Sequence, residues 1–259
     1  MEYRVVCERL DALEVQGWSR KVFAEADGYP LFMLQYSAPA PRPRLLIAAG
    51  IHGEEPAGVL GLLDWLERRA GAFIEAVDFT VFPCLNPWGF ERGIRYDPAG
   101  RDLNREFNSP KHPAVAGFCA AVAGLRFDLF MDLHEDCDFY GMYLYEVAAG
   151  AQDTGASEPT LGRRILDACR SLVQLSDGED TGGIATQDGM IAPPVTRDDL
   201  AEWDQWPIAL YAYAHHTDHV VTIETPGKQP LELRRILHGK ALDLACEHVI
   251  GRGRGSAQV

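Results

Sequence analysis

Positive charge is scarce in this 259-residue chain: 24 Lys and Arg stand against 38 Asp and Glu, a formal net charge of −14. That balance excludes sequence-independent nucleic-acid binding, which needs clustered cations to displace counterions from phosphates. Long hydrophobic runs are missing too. The longest weakly polar stretch, Pro113 to Leu125, falls well short of the ~20 residues a membrane-spanning helix needs. The start, MEYRVVCERL, lacks the basic start and the apolar core of a signal peptide. The 6 cysteines (Cys7, Cys84, Cys119, Cys137, Cys169, Cys246) include no CxxC pair, so reduced core thiols are expected and not a disulfide framework. The expected setting is the cytoplasm, with no membrane and no nucleic-acid partner. No internal repeat is visible.

What is present is ordinary globular composition, 47% hydrophobic and 24% charged, enough for a substantial core. YRVVCERLDAL has helical spacing, and SRKVFAEADGYPLFMLQYS reads as two strands joined across Asp27-Gly28. After the Pro-rich connection 38–44, strands and helices alternate. Strands are expected at 44–49, at DFTVFPCL (ending at Asn86-Pro87), at 127–133, and at YGMYLYEV and HVVTIET. Helices are expected at about 55–69, 113–125, 158–173 and 231–250, with a long glycine-rich loop from Thr181 to Pro194. Such alternation predicts a three-layer α/β/α fold around a mixed, mainly parallel sheet. One domain is expected over 1–250, with 1–43 (helix and hairpin) preceding the catalytic core and 251–259 forming a flexible tail.

Candidate chemistry falls where strands end, the place where open α/β sheets bind ligands. His52 and Glu55 follow the first core strand in LLIAAGIHGEEPAG, and His134 sits in DLHED at the end of an apolar strand. Two histidines and one carboxylate are a standard set for catalytic zinc, which leaves its fourth position to water. Glu224, isolated in the apolar strand VTIET, is the remaining carboxylate for proton transfer; desolvation there raises its pKa toward that task. Each piece has a plainer reading, such as a helix-start carboxylate, a core histidine or a strand-end salt bridge. All four falling at strand ends of one sheet weighs against it. Four arginines (Arg92, Arg95, Arg101, Arg105) crowd one segment of an acidic chain, and with the Asn104 amide they make a candidate carboxylate pocket.

Taken in order, HGEE, NPWGF, RYD, DLNR, DLH and IETP resemble the zinc metallocarboxypeptidase superfamily, which includes carboxypeptidase A-like enzymes, murein peptide amidases, succinylglutamate desuccinylases and aspartoacylases. The resemblance runs from His52 to Gly227. It implies one zinc per chain on His52, Glu55 and His134, with Glu224 as general base. It also implies Arg95 facing the developing oxyanion, Asn104 and Arg105 holding the substrate's free carboxylate, and Asp102 accepting a hydrogen bond from His52. Arg92 is the alternative to Arg95. The His52-to-His134 separation is short for a digestive-type enzyme, and no equivalent of that branch's mobile tyrosine stands out; Tyr211 and Tyr213 read as core or interface aromatics.

The expected function is therefore hydrolysis of an amide bond next to a free carboxylate, first as a metallocarboxypeptidase acting on small peptides. An N-acyl-amino-acid amidohydrolase of the desuccinylase or aspartoacylase type is the second reading, and a non-catalytic ligand-binding homologue the third. The HHTDH segment places His215 and His219 at metal-ligand spacing without a carboxylate set, so a loop feeding the Glu224 strand is the expectation. Cys137 reads as a buried structural thiol.

Overall fold

A computed structural model of the chain describes residues 1–14, 16–149, 159–178, 180–181 and 184–256. Helix α1 (Tyr3–Glu14) precedes a hairpin of β1 (Ser19–Ala26) and β2 (Tyr29–Tyr36). Asp27 and Gly28 both take positive φ, 54° and 86°, which suits the primed two-residue turn that matches strand twist. There follow β3 (Arg44–Ala49), α2 (Pro56–Arg68), β4 (Asp78–Phe82), α3 (Pro87–Arg92), α4 (Pro113–Val122), β5 (Leu129–Asp136) and β6 (Tyr143–Ala148). Beyond these come α5 (Leu161–Cys169), short strands β7 (Asp180–Thr181), β8 (Ile184–Ala185) and β9 (Met190–Ile191), then α6 (Ile208–His215), β10 (His219–Pro226) and α7 (Leu231–Ser256).

Eight strands form one sheet in the order β1-β2-β4-β3-β5-β10-β6-β9. Its middle, β4-β3-β5-β10, is parallel; β2 and β6 join antiparallel on either side. Parallel strands joined by crossovers are covered on both faces, so their two residue rows are both apolar. Leu45, Ile47, Met131, Leu133, Val221 and Ile223 pack toward α1, α2, α5 and α7. Leu46, Ala48, Phe130 and Val220 pack on the other face with residues of α4 and α6. This is the expected α/β/α sandwich.

The structure departs from the sequence reading in places that matter for the site. Strand β5 runs on to Asp136, so His134 lies within the strand and not past its end. Two helices were not anticipated, α3 and α6. Glycine-rich 181–194 carries β8 and β9 in place of a continuous loop, with residues 182–183 outside the described set. Helix α5 occupies the middle of the expected 158–173 helix, and residue 158 also lies outside the described set. Helix α7 continues to Ser256, past the start of the expected tail at 251; residues 257–259 are not among those described.

Candidate active site

Strand β3 ends at Ala49, and the chain turns at Gly50, whose φ of 65° favours glycine. The next glycine is required by packing. A Cβ on Gly53 would stand 2.0 Å from the Gly89 carbonyl carbon, so the HGEE turn can lie directly on α3 only without a side chain there. Helix α3 is itself set by Asn86, whose Oδ1 accepts a hydrogen bond from the Gly89 amide at 2.9 Å. His52 and Glu55 are thereby held over the end of β3; Glu55 occupies the N-cap position of α2, just before Pro56, and its side chain makes no capping bond.

From the neighbouring strand β5, His134 rises on the same side. Glu55 joins the two histidines: Oε1 lies 2.6 Å from His52 Nδ1, and Oε2 lies 2.8 Å from His134 Nδ1. All three residues are buried, and one ligand atom from each falls within 4.8 Å of the others; among the described residues this is the group so arranged. On the far side of each ring a second carboxylate waits. Asp102 Oδ1 is 3.1 Å from His52 Nε2, and Asp132 Oδ2 is 3.1 Å from His134 Nε2. A carboxylate only accepts, so with a cation in place of the Nδ1 protons each Nε2–H would donate to its aspartate and each Nδ1 would turn its lone pair to the metal. Two imidazoles and one carboxylate, oriented this way, fit zinc.

The electrostatics follow from this crowding. Burial alone raises the Glu55 carboxyl, but His134 and His52 outweigh it and hold the group well below the usual carboxylate range. For Asp102 burial is again opposed, here by His52, Arg95 and Arg105, with the same outcome. Glu224 is the opposite case. Burial drives it well above the ordinary carboxylate value, and Glu55, Asp136 and Asp132 add to this against the pull of His134. It stands on β10 directly opposite His134 on β5 and Tyr143 on β6.

Arg95 reaches the same cavity. Its Nε and Nη2 donate to Asp102 Oδ2 at 3.1 and 3.0 Å, and Nη1 lies 3.6 Å from Glu55. Arg92, the alternative, turns away: it donates to the Trp88 carbonyl and stacks over the Trp88 ring at 4.5 Å. Arg101 is bound to Asp97. Asn104 and Arg105 sit in a single 3-10 turn, Leu103–Arg105, opened by Asp102 accepting from the Asn104 amide. The Asn104 side-chain oxygen accepts from the Ile208 N–H at the start of α6, 2.8 Å away, which leaves its NH2 as the remaining donor. Arg105 donates to the Asn104 carbonyl and makes no ion pair among the described residues. Arg95, Asn104 and Arg105 line one cavity with His52, Glu55, His134 and Glu224, of about 440 Å³, in the range of small-molecule sites.

The other candidates fall elsewhere. His215 packs on Tyr211, His216 bonds the Leu125 carbonyl, and His219 pairs with Glu146, so the three do not converge. Tyr211 and Tyr213 belong to the core face of α6, as expected. Cys137 is a correction: it is exposed at the cavity wall, with its thiol pushed up to about 12 by burial of the sulfur side and the carboxylates around it. All six cysteines are free. Sequence reasoning missed Asp132 as the partner of His134. The D-x-H spacing held the signal, because alternate residues of a strand share a face.

This fold and this site define a hydrolase of the zinc carboxypeptidase-like superfamily, and comparison with known proteins agrees. The chain belongs to the succinylglutamate desuccinylase/aspartoacylase catalytic-domain family, whose profile matches residues 41–183. It resembles the crystal structure of a candidate metallopeptidase from Shewanella amazonensis, with 25% identity, a TM-score of 0.79 and coverage of 94% of this chain and 92% of that one. Carboxypeptidase A from Helicoverpa armigera shares the fold at 14% identity and a TM-score of 0.70, covering 97% and 74% of the two chains. Carboxypeptidase SOL1 of Arabidopsis thaliana is 31% identical over 94 residues, a match spanning 31% of this chain and only 19% of that protein.

Proposed function

We propose that the chain is a zinc-dependent hydrolase of amide bonds adjacent to a free carboxylate, acting as a carboxypeptidase on small peptides. The observation that carries this reading is the convergence of His52, Glu55 and His134 opposite Glu224 in one cavity that also holds Asn104 and Arg105. Bound zinc would polarise the scissile carbonyl and lower the pKa of the attacking water from ~16 to about 7.

The chain's own residues carry the rest. Asn104 NH2 and the Arg105 guanidinium take the substrate carboxylate, one as a directional donor and the other as a charge-assisted fork. Glu224, whose elevated pKa suits a group that both accepts and releases a proton, removes the proton from water and delivers it to the leaving nitrogen. Arg95, held rigidly by Asp102, faces the negative charge that develops on the carbonyl oxygen. Asp102 and Asp132 keep both imidazoles in the tautomer that binds metal.

The family match favours the second reading, an N-acyl-amino-acid amidohydrolase. Carboxylates at the mouth, Glu54, Asp136 and Asp138, favour the first, since they repel an acyl group that carries its own negative charge. The same reading holds one zinc per chain, one working domain over 1–250, and a reducing, cytoplasmic setting consistent with six free cysteines.

Metal analysis of protein purified without added metal, beside His134→Ala, tests the proposal when followed by assays on dipeptides and on N-acetyl and N-succinyl amino acids. One zinc per wild-type chain, lost in the variant, with dipeptide turnover is the expected result. Wild-type protein that takes up no zinc overturns it.

A further inference from the structure

We propose that the residue bearing the free carboxylate has an apolar side chain, seated between α6 and the face formed by β5, β10 and β6. The inference rests on the hydrolase reading above and specifies its substrate. The register of the three strands supplies the geometry. His134, Glu224 and Tyr143 form one cross-strand row at the chemistry. Two residues back along the strands, on the same face, lie Asp132, Thr222 and Tyr145. Two further back lie Phe130, Val220 and Val147. At ~3.3 Å per residue the third row is about 13 Å below the first.

Thr222, Val220 and Val147 line the same cavity as the catalytic row, and so does Leu210 of α6, which shares an apolar cluster with both valines. The start of α6 is bound to Asn104 through the Ile208 amide, so the carboxylate-binding pair sits at the top of that helix. A substrate carboxylate held by Asn104 and Arg105 therefore places the side chain of its α-carbon beside Leu210 and the Val220–Val147 row. At the mouth, Trp203 and Ile184 line the cavity while remaining 45% and 43% exposed.

Charged side chains are disfavoured by what the cavity holds. Among the described residues, Arg95 and Arg105 are the Arg and Lys side chains that line it. Arg95 is already committed to Asp102, Glu55 and Glu54, and Arg105 to the substrate's own carboxylate. A second carboxylate would meet no cation and would approach Asp132, which is 1% exposed. A lysine head beside the Val220–Val147 row would find Asp132 already engaged by His134, while Asp136, which also lines the cavity, lies on the far side of the His134–Glu224 row from the valines. The expected product thus differs from the acidic amino acids in the family's name.

The test is a matched series, Ala-X dipeptides and N-acetyl-X acids with X as Leu, Phe, Ala, Lys, Asp and Glu, on the zinc-loaded full chain. Leu or Phe should exceed Asp and Glu by at least about 100-fold in kcat/KM, the scale on which a site rejects a group it leaves unpaired. Leu210→Arg should narrow or invert that ratio by giving an acidic side chain a partner. Equal rates, or a preference for Asp, Glu or Lys, overturn the inference and leave the hydrolase reading standing. Titrating the N-acetyl series into Glu224→Gln protein reads affinity without turnover. Tighter Leu and Phe binding there, with no hydrolysis of any substrate by wild type, retains the pocket assignment and removes the hydrolase reading. No apolar preference in either measurement overturns the inference.

Discussion

Asp102 grips Arg95 through one carboxylate oxygen, Oδ2, and takes His52 Nε2 on the other. The same Oδ1 also accepts the Asn104 amide, so one side chain positions His52, Arg95 and the Asn104–Arg105 turn, the proposed metal ligand, oxyanion group and carboxylate site. Replacing a carboxylate that orients a ligating histidine weakens metal affinity by about 10–100-fold. Asp102→Asn should therefore lose zinc affinity on that scale, measured by competition with a chelator, and lose kcat as well because Arg95 is no longer held. Unchanged zinc affinity would remove this role from Asp102.

Glu224→Gln separates metal binding from proton transfer. The substitution keeps the shape of the side chain on β10, so zinc content should match wild type. Turnover should fall by about 10²–10⁴-fold, the usual contribution of a positioned acid–base group. A variant with more than a tenth of wild-type kcat would show that the proton travels by another route.

Arg105→Ala should act on binding. Charge-assisted hydrogen bonds contribute roughly 1.5–3 kcal/mol, equivalent to about 10–100-fold. KM for a peptide with a free carboxylate should rise on that scale. The corresponding C-terminal amide, already a poor substrate, should change little. Equal effects on acid and amide would place the arginine's role elsewhere.

Away from the site, Glu146 gives the fold a pH dependence. Burial pushes its carboxyl up, but His219 at 2.8 Å, Thr160 and the Gly162 amide outweigh this and hold it below its ordinary 4.5. A depressed folded pKa contributes stability that is complete above the ordinary value and fades as pH falls through the folded one. Urea unfolding should show wild type losing stability below about pH 4.5, whereas Glu146→Gln, ~1–3 kcal/mol less stable at neutral pH, has a shallower slope there. Parallel curves for the two proteins would contradict this.

Much of this was legible because the chemistry lies near the carboxyl ends of buried strands. LLIAAG leads through Ile51 to His52 and FDLFMDL leads to His134, and a polar group near the end of an apolar run stands out against its surroundings. Helix α6 was not legible. IALYAYAH is apolar on nearly every side, so it has no 3.6-residue rhythm, and its helical state is set by packing against β5 and β10. The choice between Arg92 and Arg95 depended on a turn whose path is fixed by Gly93, in the left-handed conformation, and by Asn86. Neither signal fixes from sequence alone which arginine faces inward. Thr222 and Val147 were invisible as pocket residues for a related reason: strand pairing across long sequence separations decides which rows meet.

The strand order also has a consequence for how the protein is made. Strand β10 lies between β5 and β6, yet among the described residues it is the last strand in chain order and leaves the ribosome after both. Until it inserts, β5 and β6 have no shared neighbour, and each presents an open edge that invites misassociation. His52, Glu55 and His134 emerge well before Glu224, so a nascent chain presents the proposed metal ligands before the proposed base. Hydrolytic capacity would arrive only when the centre of the sheet closes, and the 41–183 segment by itself is missing both the strand and the carboxylate that complete it.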